Sequence, residues 1–444
     1  MRKTVHCQLP LVPALREHSH VAELEQMSRI LDANPEVAEA AYAELVIGVR
    51  ADRGAAAGLT ADQVVRSVIL YHQNCWSYAE LAFELKYNAA YRAFCRLGID
   101  QSPSKSALQR DIKKIGPQTW EAINRSLIRD AIDRGIEDGK TVRTDCTVTE
   151  TTIHHPNDGS LLWDCVRVLT DKLDYASEVV NVFYRDHRKR AKRRLFAINN
   201  AKCMKRRMKP YLDLLKVTKK TLGYARRTVG ALKRSKHPFA PDHLSTLQEL
   251  IELTLPVIDQ TERRILRGET VPAGEKVVSI FEPHTDLIRK GGRETIYGHK
   301  ICLTAGVANL ITDCVILEGN PADTSLAVQM MERHVEIFGS PPEQAAFDGG
   351  FASKENLDAL KDMGIEDVAF SKRRELAVLD MVRSSWVYKR LRNFRAGIEG
   401  IISFLKRGFG LDRCRWKGLR SFEAYTWSAI VAANLLVLSR HMLE

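Results

Sequence analysis

One segment of the sequence places an acidic residue among basic ones at helical spacing. The segment RNFRAGIEGIISFLKR, residues 392–407, has apolar residues at intervals of three and four and contains a single acid, Glu399. At roughly 100° per residue, Arg395 lies about 40° from Glu399 around the helix axis, and Lys406 lies about 20° from it on the other side. These spacings predict a helix that offers a metal-binding carboxylate flanked by two phosphate-binding cations.

Two glycines interrupt this predicted helix. Gly397 and Gly400 should each cost the helix roughly 1 kcal/mol relative to alanine. Because glycine has no side chain, it lets another chain segment approach closely. We therefore expect the backbone of a neighbouring strand, or a DNA strand, to lie against these two residues.

The surrounding elements predict an α/β domain. Alternation of period two predicts a strand in TVRTDCTVTETTI, and further strands in GEKVVSIF, ETIYGHKICLTAGV, LITDCVILEG, EQAAFD and IEDVAF. Helices are expected in SLLWDCVRVLTDKL, DTSLAVQMMERHVEIFG and SKENLDALKDMG. If residues 160–275 are an insertion, the remainder, 137–159 and 276–444, has the element order of an RNase H-like fold, a mixed sheet flanked by helices.

Two aspartates should meet in such a fold, where the first and fourth strands are neighbours. Asp145 lies within the first predicted strand, and Asp348 follows QAAF immediately before Gly349 and Gly350. Two carboxylates held close together repel each other and are stable mainly with bound cations. Oxygen ligands favour Mg²⁺ or Mn²⁺ over zinc, and Glu399 is the expected third ligand.

The spacing R-x3-E-x6-K at Arg395, Glu399 and Lys406 resembles the Y-x2-R-x3-E-x6-K signature of DDE transposases of bacterial insertion sequences. TDCTVTETTIHHPNDGSLLWDCVRVL and FDGGFASKENLDAL look like the regions that carry the first and second aspartates of that family. The likeness is closest to the group labelled ISNCY and extends over nearly the whole chain. Arg392 stands at the tyrosine position of the signature, and Tyr388, one turn earlier, is the alternative residue for that role.

The resemblance implies an enzyme that cleaves DNA at the ends of an insertion sequence and transfers the strands into target DNA. Two Mg²⁺ ions, for which Mn²⁺ can substitute, would be held by Asp145, Asp348 and Glu399. They would activate a water molecule and then a DNA 3′-hydroxyl, while Arg395 and Lys406 hold phosphates near the cleaved bond. The implied partners are double-stranded terminal inverted repeats and target DNA. A homodimer or larger assembly is expected because two ends must be cut together, and the implied location is the bacterial cytoplasm, at the nucleoid.

The positive charge of the chain, +12 overall, is concentrated in the predicted insertion. Residues 185–236 contain 20 lysines or arginines and only two acids, both aspartates. A block of this kind indicates a polyanion such as DNA, and Arg188 and Arg193 are predicted phosphate contacts. The alternative is a solvated helical face.

The N-terminal residues, 1–136, are predicted to form an all-helical DNA-binding domain. Helices are expected near 61–73 and 77–86 and up to Leu97, followed by a basic helix with Ser102 as N-cap and Pro103 at its first position. This pattern resembles a helix-turn-helix, in which Lys105 and Arg110 would contact DNA. A purely structural helical bundle is the alternative.

Other residues carry weaker signals. Trp386 and Tyr388 alternate with basic residues before Glu399, which predicts either stacking on an unpaired base or ordinary packing. His154 and His155 precede Pro156 and are expected to form a turn and not a metal site. The rival acids are expected to be solvated or to cap helices, with Asp323 as an N-cap; they are Asp164, Asp286, Asp313 and Asp323.

The overall composition indicates the class of protein. A hydrophobic content of 45% and a charged content of 27% are typical of a soluble globular protein, and we expect no membrane-spanning segment and no signal peptide. The nine cysteines include no C-x-x-C pair, which predicts reduced, buried thiols. Two other functions would use similar features: a nuclease or resolvase without strand transfer, and an inactive DNA-binding repressor derived from a transposase.

Overall fold

The computed structural model describes residues 19–48, 58–289, 294–372 and 374–444, which fold as a mixed α/β protein with a seven-stranded sheet. They form two compact units. The first unit comprises the described residues up to Glu150 together with Lys300–Glu444, and the second comprises those of Thr151–His299. The N-terminal segment in which no signal peptide was expected, residues 1–18 with Cys7, lies outside the described residues.

The described residues begin with a run of seven helices and continue with alternating strands and helices. The first helices are α1 (Ser19–Ala33), α2 (Glu36–Leu45), α3 (Ala61–Gln73), α4 (Tyr78–Tyr87), α5 (Ala89–Phe94), α6 (Lys105–Ile112) and α7 (Pro117–Asp133). They are followed by β1 (Thr141–Thr151), α8 (Asp158–Ala176), α9 (Arg188–Asn200), α10 (Met204–Leu232) and α11 (Ala240–Thr261). The remaining elements are β2 (Asp286–Arg289), β3 (Thr295–Ala305), β4 (Ile311–Ile316), α12 (Ala327–Phe338), β5 (Gln344–Phe347), α13 (Lys354–Asp362), β6 (Asp367–Phe370), α14 (Val378–Met381), α15 (Ser385–Gly408), β7 (Arg413–Cys414) and α16 (Leu419–His441).

Side-chain caps fix several helix starts. The Thr60 hydroxyl accepts from the backbone N–H of Gln63 at the start of α3, and Asn157 caps α8 in the same way. The prediction for α6 was wrong by two residues: the N-cap is Ser104, not Ser102, and Pro103 precedes it. The Ser104 hydroxyl accepts from the N–H of Ala107, which lets the helix begin after the proline.

The sheet of the first unit has the strand order β4–β3–β1–β5–β6, with β7 beside β1. β3 and β4 are antiparallel, whereas β1 with β5 and β5 with β6 are parallel. The strand that contains Asp145 therefore lies beside the strand that precedes Asp348, as predicted. A mixed sheet with this order, flanked by helices, is consistent with an RNase H-like domain.

The second unit contains the long helices α8–α11, whose apolar residues pack into cores of their own. In this unit β2 pairs antiparallel with the first residues of β3. The strand predicted in GEKVVSIF is absent: residues 273–275 form a 3-10 turn, and the following residues to 281 are described without strand pairing. Instead, the Gln260 side chain bonds both the N–H and the C=O of Val277, which satisfies the backbone without a neighbouring strand.

The core of the first unit contains a helix that sequence analysis missed. α16 is long and apolar enough to span a membrane by length and composition, contrary to the expectation that no segment would be. However, 83% of its most apolar window is buried within the protein, and it packs against α7, α3 and α1. Its composition reflects burial on all sides, which a soluble core helix shares with a membrane span.

The cysteines follow the sequence prediction with one clear exception. Of the eight in described residues, six are buried, Cys75 is half-buried and Cys203 is exposed. Cys203 lies at the N-terminal end of α10, immediately before its first residue, where the side chain faces solvent.

Candidate active site

Two aspartates of the first unit lie on β1 and directly after the neighbouring strand β5. The parallel register of β1 and β5 sets Thr144 opposite Phe347, so Asp145 and Asp348 are the next residues on each strand. Side chains at matching positions of adjacent parallel strands point to the same face. The sheet therefore brings these two carboxylates together, as the sequence predicted.

Arg395, on α15, contacts both aspartates and the predicted third acid. Its Nη2 lies 2.7 Å from an oxygen of Asp145 and 3.1 Å from an oxygen of Asp348, and its Nη1 lies 2.9 Å from Glu399. Because one nitrogen contacts both aspartates, their two oxygens cannot be farther apart than the sum of those distances. The three acids thus form one cluster around a guanidinium group, in which Glu399 is the most exposed member, with 68% of its side chain accessible.

Ser371, which follows β6, holds Asp348 in place. Its hydroxyl donates to Asp348 at 2.8 Å and accepts from the N–H of Gly349 at 2.8 Å. Burial alone would raise the pKa of Asp348, but the Ser371 hydroxyl, the Gly349 N–H and the Arg395 charge together lower it below its usual value. Asp348 is therefore ionised at neutral pH, as a metal ligand must be. Sequence analysis missed Ser371 because a serine after a short strand has no distinguishing pattern.

Arg143 explains why the site helix contains Gly397. A side chain at position 397 would overlap the Arg143 guanidinium, which is buried, donates to the Phe394 carbonyl at 2.8 Å and also bonds Asn309. The neighbour that requires the glycine is thus a side chain from β1, and not a backbone or DNA strand as expected. Gly400 faces open space and has no neighbour that would explain it among the described residues.

The donor set at this site suits a hard divalent cation. Three carboxylates converge, and carboxylate oxygens are the ligands that Mg²⁺ and Mn²⁺ prefer. As the side chains stand, no group of three or more acids, histidines or cysteines in the described part of the chain is arranged to hold a metal ion. The three acids have the chemistry of ligands for such an ion. In this structure the guanidinium group of Arg395 lies between them and supplies the positive charge.

The other predicted residues of this region lie along α15. Lys406 is half-buried and lies 4.0 Å from Asp412, while Arg392 is exposed. Tyr388 is half-buried and its hydroxyl donates to the Phe370 carbonyl at 2.9 Å, which anchors the helix to the end of β6. Trp386 has 68% of its surface exposed, so it is not packed in the core, and the guanidinium of Arg390 lies over its ring.

The four rival acids were predicted to be solvated or to cap helices, and this was wrong for Asp313, which is buried, and for Asp323, which is not an N-cap. Each is paired with a cation or a histidine: Asp164 with Arg167, Asp286 with His299, Asp313 with Arg333, and Asp323 with Lys300. Asp313 is buried and Arg333 binds both of its oxygens, an arrangement that needs a cation from α12 and could not be read from local sequence. Asp323 makes no capping bond; its carboxylate lies against Gly350.

His154 and His155 are exposed in the segment before Pro156, and the ring of His155 lies edge-on to Tyr297.

The predicted DNA contacts outside this region differ in exposure and in ion pairing. Lys105 and Arg110 are exposed on α6, where Arg110 bonds Asp111. In the second unit Arg193 is exposed, but Arg188 is paired with three aspartates: Asp171, Asp174 and Asp186.

Comparison with known proteins gives one family match, which covers part of the chain. Residues 275–435 match the family model described as "Transposase DDE domain". This range contains Asp348, Arg395, Glu399 and Lys406, whereas Asp145 lies before it. Comparison with curated proteins found no match, and comparison with solved structures found none either. Through residues 275–435 the chain thus carries a match to the transposase DDE domain family, which confirms the resemblance to DDE-type insertion-sequence transposases.

Proposed function

We propose that this protein is a DNA transposase whose catalytic residues are Asp145, Asp348 and Glu399. The single observation that carries the proposal is that three acids from β1, the end of β5 and α15 meet around Arg395 on a sheet with RNase H-like strand order. The family match over residues 275–435 supports the same activity. In this proposal the enzyme cleaves DNA at the ends of its insertion sequence and joins the cut strands to target DNA.

The three acids would be the metal ligands. When bound, two Mg²⁺ or Mn²⁺ ions would activate the attacking hydroxyl and stabilise charge on the phosphate. Asp145 and Asp348 are held by rigid strands and are preorganised for this role, whereas Glu399 lies on an exposed helix face open to solvent. Ser371 would keep Asp348 ionised and oriented.

Arg395 would exchange its carboxylate partners for a phosphate group when metal ions and DNA are bound. Its guanidinium neutralises the acids in the protein alone, and it is 13% exposed. Once other positive charge takes over this neutralisation, the fork of N–H donors becomes available for a phosphate group of the DNA. Lys406 and Arg392, on the same helix, would bind neighbouring phosphates, and the exposed ring of Trp386 would stack on an unpaired base, with Tyr388 holding the helix beneath it.

The remaining parts would bind DNA outside the active site. We assign residues 1–136 to recognition of the terminal inverted repeats, with Lys105 and Arg110 on exposed positions of α6, and the helical insertion, 160–275, to sequence-tolerant phosphate contacts. Cutting two ends together would require a homodimer or larger assembly. The protein would act at the nucleoid, in the cytoplasm of a bacterium.

The test is a gel assay of cleavage and joining in Mg²⁺ or Mn²⁺ on DNA that carries the natural flanks of the gene. Asp145→Asn, Asp348→Asn and Glu399→Gln each keep the side-chain size but remove one negative charge. Because electrostatic stabilisation of this kind is worth at least about a hundredfold in rate, we expect each variant to lose that much cleavage. DNA binding, measured in parallel, should persist.

The matched control is Glu332→Gln, an exposed acid on α12 of the same unit. It should cleave as the wild-type protein does. Normal cleavage by Glu399→Gln would exclude α15 from the catalytic site. Cleavage by the wild-type protein without joining would instead favour a nuclease or resolvase, and binding without cleavage would favour a repressor.

A further inference from the structure

The cations of α9, in the second unit, divide between two faces of the helix. On one face, Arg190 and Arg194 both bind Asp213 of α10, at 2.5 Å each. Arg188, at the start of the helix, is paired with the aspartates of α8 and of its own turn. These arginines attach α9 to its neighbours, so a large part of the positive charge counted in the sequence is neutralised within the unit.

The other face carries cations that make no ion pair with any described residue. Lys189, Lys192 and Arg193 are exposed, and with them lies Phe196, whose surface is 69% exposed. At roughly 100° per residue, these three cations fall within about 60° of Phe196 around the helix. Asn199 and Asn200, both exposed, continue the same face to the end of the helix. We call this set, Lys189, Lys192, Arg193, Phe196, Asn199 and Asn200, the α9 stripe.

We propose that the α9 stripe binds duplex DNA in the minor groove and inserts Phe196 between two base pairs, which bends the duplex. This inference rests on the proposed action on DNA and adds where and how the duplex outside the active site is held. Charge complementarity selects the occupant, because the three cations on this helix face have no acid among the described residues of the unit to bind. Proteins that bend DNA from the minor groove use the same chemistry: cations and amides around an apolar wedge.

Phe196 is the residue that separates this proposal from simple charge attraction. An exposed phenylalanine contributes nothing to phosphate binding and leaves apolar surface in water, which is unfavourable by about 25 cal/mol per Å². Burial between bases would remove that unfavourable exposure and would offset part of the unstacking free energy. The bend expected from insertion of one apolar side chain is about 20–90°.

The experiment uses the full-length protein, a duplex of random sequence labelled for energy transfer at its two ends, and a buffer without divalent cations so that no cleavage occurs. For Phe196→Ala we expect the wild-type bend to be lost and the affinity to fall by about 5- to 140-fold, the effect of removing an aromatic ring that stacks on a base. The salt dependence of binding should be unchanged, since no charge is removed. Phe196→Leu should retain the bend, because leucine also acts as a wedge.

Removal of positive charge should instead change the salt dependence of binding. The double variant Lys192→Gln with Arg193→Gln should flatten the slope of log K against log salt by roughly 0.9 for each phosphate that is no longer neutralised. The matched control for the wedge is Leu255→Ala, an exposed apolar residue on α11 that lies between exposed Glu252 and Asp259. It should change neither the bend nor the affinity.

A wild-type bend with Phe196→Ala, or an unbent duplex with the wild-type protein, would overturn the proposal. Failure of the wild-type protein to bind the duplex would overturn it as well. Each of these results is independent of the cleavage assay on Asp145, Asp348 and Glu399. An unbent duplex with a wild-type protein that still cleaves would therefore refute this inference and leave the proposed catalytic function standing.

Discussion

Replacement of Arg395 by glutamine should destabilise the protein and make its stability depend on divalent cations. The substitution leaves Asp145 and Asp348 close together without the cation that both contact. Removing one partner of a fully buried ion pair costs about 3–5 kcal/mol, and breaking an exposed pair costs up to about 1 kcal/mol. The side chains of Arg395 and Asp145 are 13% and 14% exposed, whereas those of Asp348 and Glu399 are 39% and 68% exposed. The expected decrease in the free energy of unfolding is therefore intermediate between these limits, about 2 kcal/mol.

The same variant should recover in Mg²⁺. Without the guanidinium, the ion can take its place among the acids, and a ligand at a hundred times its Kd adds about 2.7 kcal/mol to the native state. Urea unfolding with and without Mg²⁺ measures both effects, and the gain in Mg²⁺ should be larger for Arg395→Gln than for the wild-type protein. The control is Arg413→Gln, which breaks the more exposed pair with Glu150 on the same strand β1. If Arg395→Gln costs no more than this control and gains no more from Mg²⁺ than the wild-type protein, Arg395 does not hold the acids together.

Two further predictions concern the supporting structure. Gly397→Ala would push a methyl group into the buried Arg143, whereas the methyl group of Gly400→Ala meets no described neighbour and that variant gains helix propensity. In urea unfolding, Gly397→Ala should therefore be less stable than Gly400→Ala by about 1–3 kcal/mol. Equal stabilities would refute the packing argument. Burial lowers the pKa of His72 from 6.5 to about 3, against the raising effect of its bond to the Phe409 carbonyl, so below pH 6.5 the unfolded chain binds a proton that the folded protein does not. As the pH is lowered from 6.5 to 4, the contribution of His72 should therefore reduce the free energy of unfolding by roughly 1.4 kcal/mol per pH unit. His72→Gln should remove this part of the pH dependence, and an unchanged pH dependence in the variant would contradict the prediction.

Much of the sheet could be predicted because its strands carry a local signal. The alternation in β1 and the short apolar runs of β5 and β6 predicted the strands within a few residues, and the glycine pair marked the end of β5. GEKVVSIF carries a similar signal and is not a strand, since the Gln260 side chain occupies the backbone groups of Val277. A bond to a residue 17 positions away leaves no trace in the local pattern.

Partners of charged groups were predicted least well. Local spacing showed that Arg395 and Glu399 share a helix face, yet it could not show that Arg395 faces Asp145 and Asp348. Asp313 was predicted to be solvated or to cap a helix, although it is buried and paired with Arg333. Ion pairs join residues that are distant in sequence and follow from tertiary packing, so composition gives the number of charges but not which are neutralised.

The position of α15 on the sheet follows from two residues of β1. Arg143 and Asp145 are two positions apart, so their side chains point to the same face of the strand. Arg143 donates to the carbonyl of Phe394, and Asp145 accepts from Arg395, so consecutive residues of the helix are bonded to alternate residues of the strand. This double attachment fixes both the rotation and the height of the helix, and Gly397 provides the space for it. Glu399, one turn beyond Arg395 on the same helix, accepts from Arg395 Nη1. The attachment that positions Arg395 therefore also places Glu399 in the cluster, although the two glycines weaken the helix.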